Sequence, residues 1–418
     1  MNLPVIDLLS AEYEADPYGT FRAARQRSWL ARAGAGYAVL TNADAKVIMR
    51  HPDFRVSFAY VDPEVSEYLY ERSRSGLMAA GPERHRRLRG VAVRALRPRI
   101  MDSLRAPMRS IISSLLDTVV SRGSCDIVKD LTDPYPAQVM MPILGVPSED
   151  VPRIDRWATD SVAIFDVARL RSQAAQIEAS SREFEAYARE LISARRGDLG
   201  PDLISELIRV QEEGEKLSED ELLMLVISLI PAALDTTRGQ LSFTLESLVR
   251  SPAQWAALVA DPSLAPRAVE EGLRYAPAIS GIMHEAVRDT SHNGFDFPAG
   301  SLVGVYPRSV NRDPAAFPDP DTFDISREPG SHYTFGFGPH ACLGAQLARI
   351  EMAEVLGVLA GRIATWALAG EVTHTPMSSN GNRTSLPVTF TANPFHPPVS
   401  RSRAPGQSWE DEKGSVRS

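Results

Sequence analysis

One cysteine stands in a setting suited to reactive chemistry. Cys342 follows the run Phe335-Gly336-Phe337-Gly338-Pro339-His340-Ala341 and precedes Leu343-Gly344, so three glycines and a proline favour an irregular loop. Residues 343–352 then carry apolar side chains at helical spacing. Cys342 therefore lies at the start of a helix, where the partial positive charge favours a thiolate by roughly 0.3–1 kcal/mol. A lone thiolate held by backbone N–H groups of such a turn suits an axial ligand of a haem iron.

The same segment closely resembles the haem-binding loop of the cytochrome P450 family, F-x-x-G-x-x-x-C-x-G. Phe335, Gly338, Cys342 and Gly344 fill the four fixed places, and His340 stands two residues before the cysteine, as in many bacterial members. The resemblance implies haem b as the cofactor and Cys342 as the ligand of its iron, with Phe335, Gly336 and His340 at the haem. The alternative is a structural cysteine at a helix start, which the order of the further motifs disfavours.

An acid–base pair precedes this loop by about 70 residues. Glu271 and Arg274 are three residues apart in a helical pattern, so they share a face and can form a charge-assisted pair. Alone, such a pair most often lies on a solvated surface. It resembles the family's ExxR pair, which packs the cysteine loop against the core. Thr322 stands where many members place an additional arginine, so we expect another donor or a smaller network.

An apolar helical stretch contains an acid followed by threonine. Burial of the Asp235 carboxylate costs several kcal/mol unless it is paired, and the Thr236 hydroxyl can bond back to the carbonyl four residues earlier. With Pro231 nearby, these residues predict a local distortion in the middle of the helix. The stretch resembles the family's A-G-x-D/E-T-T segment, with Ala233 in place of the usual glycine. On that resemblance Thr236 hydrogen-bonds the oxygen species and Asp235 relays protons; the alternative is an ordinary core helix.

An arginine-rich stretch over residues 83–99 contains His85 and Arg89 on one helical face. They match the family's H-x-x-x-R pair, whose members bind the haem propionates. The other arginines cannot all face the haem and are expected to form a positive patch that suits an acidic electron carrier such as a ferredoxin: Arg86, Arg87, Arg94, Arg97 and Arg99.

Histidine stands where the family commonly has a third propionate-binding residue. His284 lies ten residues after Arg274, at the place of an arginine in R-x-A. Because a histidine is shorter and only partly charged near neutral pH, we expect weaker or pH-dependent propionate binding, with His340 as a further donor.

Composition limits the other classes of function. The 418 residues, 44% of them hydrophobic, contain no linker before the tail, so we expect one domain over residues 1–397 and a disordered tail over 398–418. Two cysteines do not make a disulfide framework, and a net charge of −8 disfavours general nucleic-acid binding. With no signal peptide and no run of about 20 apolar residues, we expect a cytoplasmic protein that binds no membrane.

The elements that must position these residues are mostly helical. Periodicity predicts helices over about 100–122, 148–195, 218–250, 263–275 and 343–363. Strands are predicted over 36–41 and 301–306 and near 364–376 and 385–391. This is a mainly α chain with a small β region, and the resemblance, which covers about residues 80–395, implies the family's triangular prism.

The resemblance implies a haem-thiolate monooxygenase that inserts one atom of O2 into a small or medium apolar substrate, by hydroxylation or epoxidation, in a pathway such as natural-product biosynthesis. Electrons would come from NAD(P)H through a ferredoxin reductase and a ferredoxin. The alternatives are a peroxide-driven peroxygenase, whose known members usually lack the acid–threonine pair, and a non-catalytic haem sensor. The expected pocket contains apolar residues and, as candidate polar anchors, Ser280, Asn380, Asn382 and Arg383; its apolar members are Ala232, Ala233, Ile279 and Ile282.

Overall fold

Helices make up most of the structure. The computed structural model describes residues 2–58, 61–95, 104–212, 217–378 and 380–393. The helices are α1 Ala11–Ala15, α2 Pro17–Arg25, α3 Asn42–Ile48, α4 Glu67–Ser75, α5 Pro82–Ala95, α6 Arg105–Asp117, α7 Pro134–Leu144, α8 Val151–Val162, α9 Val167–Gly197, α10 Leu203–Glu212, α11 Glu219–Val249, α12 Pro252–Ala260, α13 Ala265–Tyr275, α14 Pro307–Val310 and α15 Ala345–Arg362.

The strands are short and form four sheets. They are β1 Val5–Ile6, β2 Leu30–Ala33, β3 Gly36–Val39, β4 Phe54–Val56, β5 Ser124–Asp126, β6 Ile282–Ala286, β7 Thr290–His292, β8 Phe295–Phe297, β9 Leu302–Val305, β10 Ile363–Leu368, β11 Thr373–His374, β12 Arg383–Ser385 and β13 Pro387–Ala392. The largest sheet has the order β1-β2-β3-β9-β6-β4, and a second has the order β10-β13-β5. The remaining two are the hairpins β7-β8 and β11-β12.

The long helix α11 is the centre of the main core. Ser218 and Glu221 form a reciprocal capping box that satisfies two N–H groups at its start. Its apolar residues pack with those of α6, α7, α8, α13 and α15 in one large cluster. By length and composition α11 could cross a membrane, but most of its apolar window is buried inside the fold, as expected of a core helix.

A second core lies against the large sheet. Residues of β3, β6 and β9 pack there with Phe297 and with Tyr333, which lies just before the cysteine loop, and Phe337 of the loop packs against the same cluster. The cysteine loop therefore rests on this small β region, and α15 carries the chain from the loop into the main core.

The predicted elements are largely confirmed, with two differences. The pattern over 148–195 is two helices, because α8 ends at Val162 and the Asp166 side chain accepts from the N–H of Arg169 at 3.0 Å near the start of α9. The predicted mid-helix distortion near Pro231 is not found, since α11 runs unbroken from Glu219 to Val249. The tail over 398–418 lies outside the described residues.

Candidate active site

The cysteine loop is closed on itself by backbone hydrogen bonds. The N–H of Cys342 donates to the carbonyl of Phe335 at 2.7 Å, and the N–H of Gly336 donates to Tyr333 at 2.9 Å. Gly336 has φ +67° and Gly338 has φ +77°, a left-handed region that glycine adopts without strain. At Gly338 a Cβ would also lie 2.7 Å from the carbonyl oxygen of Met49. Of the two glycines fixed by the motif, the backbone therefore requires Gly338, whereas Gly344 has φ −85° and open space around it.

Cys342 is reachable by solvent but surrounded by protein. The side chain is exposed by area, yet enough protein surrounds it for burial to raise the pKa of the thiol. The N–H of Gly344 donates to the sulfur, and the charges of Arg89 and Arg349 act in the same direction, so all three lower this pKa. These groups would stabilise a thiolate once a cation is bound to it, which fits the role of an iron ligand.

Three histidines and an arginine meet beside the loop. The rings of His85 and His340 stack with centroids 4.0 Å apart. The charged groups that act on His340 are His85, His284 and Arg89, all of them basic. Burial and these neighbours lower the pKa of His340 to about 4, and burial followed by the Arg89 charge lowers that of His85.

This basic cluster is suited to a group with two carboxylates. The Nδ1 of His340 is buried and has no hydrogen-bond partner among the described residues, and buried polar atoms normally have one. A dianionic ligand would supply an acceptor for an N–H at this nitrogen and would favour the protonated form of the three histidines. The predicted set His85, Arg89, His284 and His340 thus fits the two propionates of haem.

His284 differs from its predicted state. It lies in β6, pairs with Val303 of β9, and is 4% exposed. Its Nδ1 lies 3.1 Å from the carbonyl oxygen of Ile282. Burial lowers its pKa to about 4, so in the protein alone this histidine is neutral at pH 7 rather than partly charged.

The predicted pair Glu271–Arg274 is buried and belongs to a larger hydrogen-bond network. The two side chains form a double hydrogen bond, with both distances 2.7 Å. Arg274 also donates to the carbonyls of Asn311, Pro320 and Thr322 at 2.8–3.1 Å. Thr322 thus takes part through its backbone carbonyl, which accepts from Arg274. Its side chain does not provide the donor that an arginine would supply at this position.

A second arginine completes this network. Arg327 lies 3.3 Å from a Glu271 carboxylate oxygen and donates to the carbonyl of Asp319 at 3.0 Å. The N–H of Asp324 donates to the same carboxylate at 2.9 Å. Arg327 is therefore the additional donor that the threonine at 322 required, supplied from five residues further along the chain.

The predicted acid–threonine pair points in two directions. Ala232 and Thr236, one turn apart on α11, are exposed, whereas the flanking Leu234, Asp235 and Thr237 are buried. The Thr236 hydroxyl donates to the Ala232 carbonyl at 2.8 Å, the predicted back-bond. Thr236 thus lies on a stripe of exposed residues in an otherwise buried helix, and the Asp235 side chain is buried beside that stripe.

Asp235 has a protein partner that the sequence did not reveal. Its carboxyl accepts from the side-chain amide of Asn382 at 3.0 Å. Burial raises the pKa of Asp235, and the Asn382 hydrogen bond opposes that rise. Asn382, a candidate substrate anchor in the sequence, is therefore bound to the acid instead.

The remaining pocket candidates differ in their burial and contacts. Ala233 and Ile279 are half-buried, and Ile282, also half-buried, packs with the second core. If residue 336 carried a Cβ, the nearest side-chain carbon of Ile282 would lie 3.6 Å from it. Arg383, one of the candidate polar anchors, forms an ion pair with Glu246.

The arginine-rich helix α5 is partly neutralised by an acid of α11. Glu221 accepts from Arg84 at 3.0 Å and from Arg87 at 2.6 Å. Arg87 is therefore not a free member of the predicted patch. Arg86 and Arg94 are exposed, and Arg94 also has a contact within the protein. Arg97 and Arg99 lie outside the described residues.

Comparison with known proteins decides the family. The family model described as Cytochrome P450 matches residues 33–359, which is most of the chain. The chain is a cytochrome P450. It shares 31% identity over 400 residues with luteothin monooxygenase of Streptomyces thioluteus, covering 94% of this chain and 97% of that protein. It is 35% identical to a steroid C26-monooxygenase of Mycobacterium tuberculosis over 302 residues, 71% of this chain and 81% of that one.

The fold comparison agrees. The crystal structure of P450BioI in complex with an acyl carrier protein carrying hexadec-9Z-enoic acid matches with a TM-score of 0.86 at 29% identity, covering 91% of this chain and all of that one. This cytochrome P450 therefore has the family fold predicted from its motifs. It is a haem b monooxygenase of the hydroxylating or epoxidising type.

Three contacts of this cytochrome P450 were not predicted: Arg327 with Glu271, Asn382 with Asp235, and Glu221 with the arginines of α5. Sequence offered a signal only for the first, since Arg327 lies shortly after Thr322 and Asp324. The other two join segments more than 130 residues apart.

Proposed function

We propose that Cys342 ligates the haem iron of this monooxygenase and that His85, Arg89, His284 and His340 bind the propionates. The observation that carries the proposal is the basic cluster beside the closed cysteine loop, with its buried and unpartnered His340 nitrogen. Phe335 and Gly336 shape the loop under the haem. Glu271 and Arg274 fix the segment before the loop, through the carbonyls that Arg274 binds.

Haem supplies the redox iron that activates O2 when electrons are delivered. The residues of the chain then have separate tasks. The N–H of Gly344 and the charges of Arg89 and Arg349 stabilise the Cys342 thiolate. Thr236 presents a hydroxyl on the exposed stripe of α11, and Asp235 holds a proton that can pass towards it.

The substrate is proposed to be a small or medium, largely apolar molecule of the kind found in natural-product metabolism. Ala232, Ala233, Ile279 and Ile282 supply apolar surface, and the relative named steroid C26-monooxygenase supports an apolar substrate. Because Arg383 and Asn382 are engaged by Glu246 and Asp235, a substrate carboxylate has no free basic partner in the hairpin β11-β12 among the described residues. A screen for ligand-induced spin shifts would rank neutral apolar compounds above carboxylic acids.

Electrons are proposed to arrive from NAD(P)H through a ferredoxin reductase and a ferredoxin in the cytoplasm. The exposed Arg86 of α5 offers an acidic carrier a positive charge. Arg86→Glu should slow reduction by ferredoxin, while Arg171→Glu, which changes an exposed arginine of α9, should not. Equal slowing by both variants would mean that overall charge, not this patch, controls the rate.

One spectrum tests the ligation. Dithionite reduction under carbon monoxide should give the band of thiolate ligation in the wild type and lose it in Cys342→Ser; a band of imidazole ligation would refute the assignment.

The two alternatives are separated by turnover. Thr236→Ala should raise the yield of hydrogen peroxide relative to product when a ferredoxin system drives the reaction. Product formed with added peroxide but not with ferredoxin would support the peroxygenase, and no product with either would support the sensor.

A further inference from the structure

Asn382 is the residue that holds Asp235, and its role rests on the relay role proposed for that acid. Asp235 is 5% exposed in α11, and the Nδ2 of Asn382 donates to its Oδ1 at 3.0 Å. A buried carboxyl that accepts a hydrogen bond from a fixed donor is restricted to one orientation.

Gly239, one turn after Asp235, makes room for this amide. A Cβ at Gly239 would lie 2.2 Å from the Oδ1 of Asn382 and 2.8 Å from the carbonyl oxygen of Gly381. Real Cβ atoms do not approach so closely, so any other residue at 239 would move the hairpin. The Asn382 amide therefore lies along one turn of α11, with its nitrogen at Asp235 and its oxygen against Gly239.

The backbone around Asn382 is itself fixed. The N–H of Gly381 donates to the Ala278 carbonyl at 2.7 Å, and the N–H of Asn382 donates to the Thr375 hydroxyl at 3.0 Å. The Asn382 carbonyl accepts from the N–H of Thr375 at 2.9 Å. The donor to Asp235 is thus preorganised, as a positioning contact requires.

The charges near Asp235 come from three helices. Arg238 of α11 forms ion pairs with Asp155 of α8 and with Asp133, which lies just before α7. The charges of Arg238 and of Arg169 on α9 favour an ionised Asp235, and that of Asp155 opposes it. Asp155 and Asp133 are partly exposed, so this side of the acid leads towards solvent.

We propose that Asn382, seated against Gly239, is the positioning residue of Asp235: its amide holds the acid between the solvent-side charges and the Thr236 stripe. Burial alone raises the pKa of Asp235, and the amide opposes that rise. Loss of the amide would therefore leave the acid protonated to higher pH and free to turn.

The test uses the haem-loaded protein, reduced with dithionite under carbon monoxide. The infrared C–O stretching band reports the polar groups near the bound carbon monoxide, and its pH midpoint is measured. In the wild type the band should shift with pH, and Asp235→Asn should abolish that shift.

In Asn382→Ala the midpoint should move to higher pH. In the isosteric Asn382→Asp it should move further, because a donor is replaced by a second acid. Gly239→Ala should act in the same direction as Asn382→Ala by displacing the amide. Thr373→Ala, which removes an exposed hydroxyl contact with Thr384 in the same hairpin, should leave the midpoint unchanged.

The outcomes are separable. If Asp235→Asn abolishes the pH dependence but both Asn382 variants keep the wild-type midpoint, the positioning role is refuted and the role of Asp235 stands. If Asp235→Asn leaves the pH dependence intact, the role proposed for the acid fails, and this inference fails with it. An Asn382→Asp protein that behaves as wild type would show that shape, not hydrogen-bond donation, matters at this position.

Discussion

Glu351 is an acid that the fold buries without compensation. It lies in α15, nine residues after Cys342, and is 1% exposed. Its Oε1 has no hydrogen-bond partner among the described residues. The Tyr135 hydroxyl lies 3.5 Å from its backbone oxygen and not at the carboxyl. Burial raises the pKa of Glu351 from 4.5 to about 8, so the carboxyl stays protonated in the folded protein at neutral pH.

This protonation makes stability depend on pH in a defined direction. Between pH 4.5 and about 8 the unfolded chain loses the Glu351 proton and the folded chain keeps it. The contribution of the group is therefore fully present below pH 4.5 and decreases as pH rises towards 8. The 3.5-unit difference between these two values corresponds to a loss of at most on the order of 5 kcal/mol.

Glu351→Gln removes this loss, because the amide is neutral at every pH and similar in shape. The gain in the free energy of unfolding should be small near pH 4.5, about 2 kcal/mol at pH 6 and on the order of 5 kcal/mol above pH 8. Urea unfolding of the haem-loaded protein, followed by far-ultraviolet circular dichroism across this range, measures it. The decisive observation is that this gain in the free energy of unfolding increases with pH, rather than its absolute size.

A neighbouring acid provides the control. Glu354, one turn further along α15, is paired with Arg105 at 2.6 Å and Arg109 at 3.0 Å. Glu354→Gln should lower stability, by about 1 kcal/mol. A Glu351→Gln gain that is the same at every pH, or a loss of stability at pH 8, would refute the reasoning and place an unseen donor at the carboxyl.

Four further variants test contacts described above. Arg274→Ala should lower stability by about 3–5 kcal/mol and reduce haem retention, because the buried Glu271 carboxylate loses its double hydrogen bond. Arg327→Ala, whose contact with Glu271 is longer, should cost about 1–2 kcal/mol. Denaturant titration followed by haem absorbance compares the two variants, and equal costs would contradict the ranking. The hydrogen bonds from Arg87 and Arg84 hold the pKa of Glu221 at about 2, so Glu221→Gln should remove at most about 3 kcal/mol of stability at pH 7, reduced by screening at the partly exposed arginines. This contribution is present above pH 4.5 and lost as pH falls towards 2, so a variant–wild-type difference that does not shrink in acid would refute the assignment. Gly338→Ala should lower haem retention because its φ of +77° and the Met49 carbonyl leave no room for a methyl group, which haem titration of the purified variant would test.

The sequence predicted what is local. The cysteine loop depends on a few adjacent residues whose glycines have left-handed backbone angles, and the Glu271–Arg274 pair depends on helical spacing. Such features require only the order of neighbouring residues, so a motif contains nearly all the information needed.

The sequence did not predict partners that the fold brings together. Arg327 reaches Glu271 across 56 residues, Arg87 reaches Glu221 across 134, and Asn382 reaches Asp235 across 147. Each of these side chains is an ordinary loop or surface residue by type, and only the folded arrangement of the chain brings it to its partner. The neutral state of His284 was missed for the same reason, because burial between β4 and β9 cannot be inferred from the place of a histidine in a motif.

The double role of Glu221 has an evolutionary consequence. This carboxylate completes the capping box of α11 and also binds Arg84 and Arg87 of α5. A mutation at 221 therefore removes the half of the capping box that the carboxylate supplies and the contacts with both arginines in one step, while a mutation of either arginine leaves the capping box intact. We therefore expect substitutions at Arg84 and Arg87 to precede any substitution at Glu221. Related proteins that lack the acid should be those in which both arginines have already been replaced.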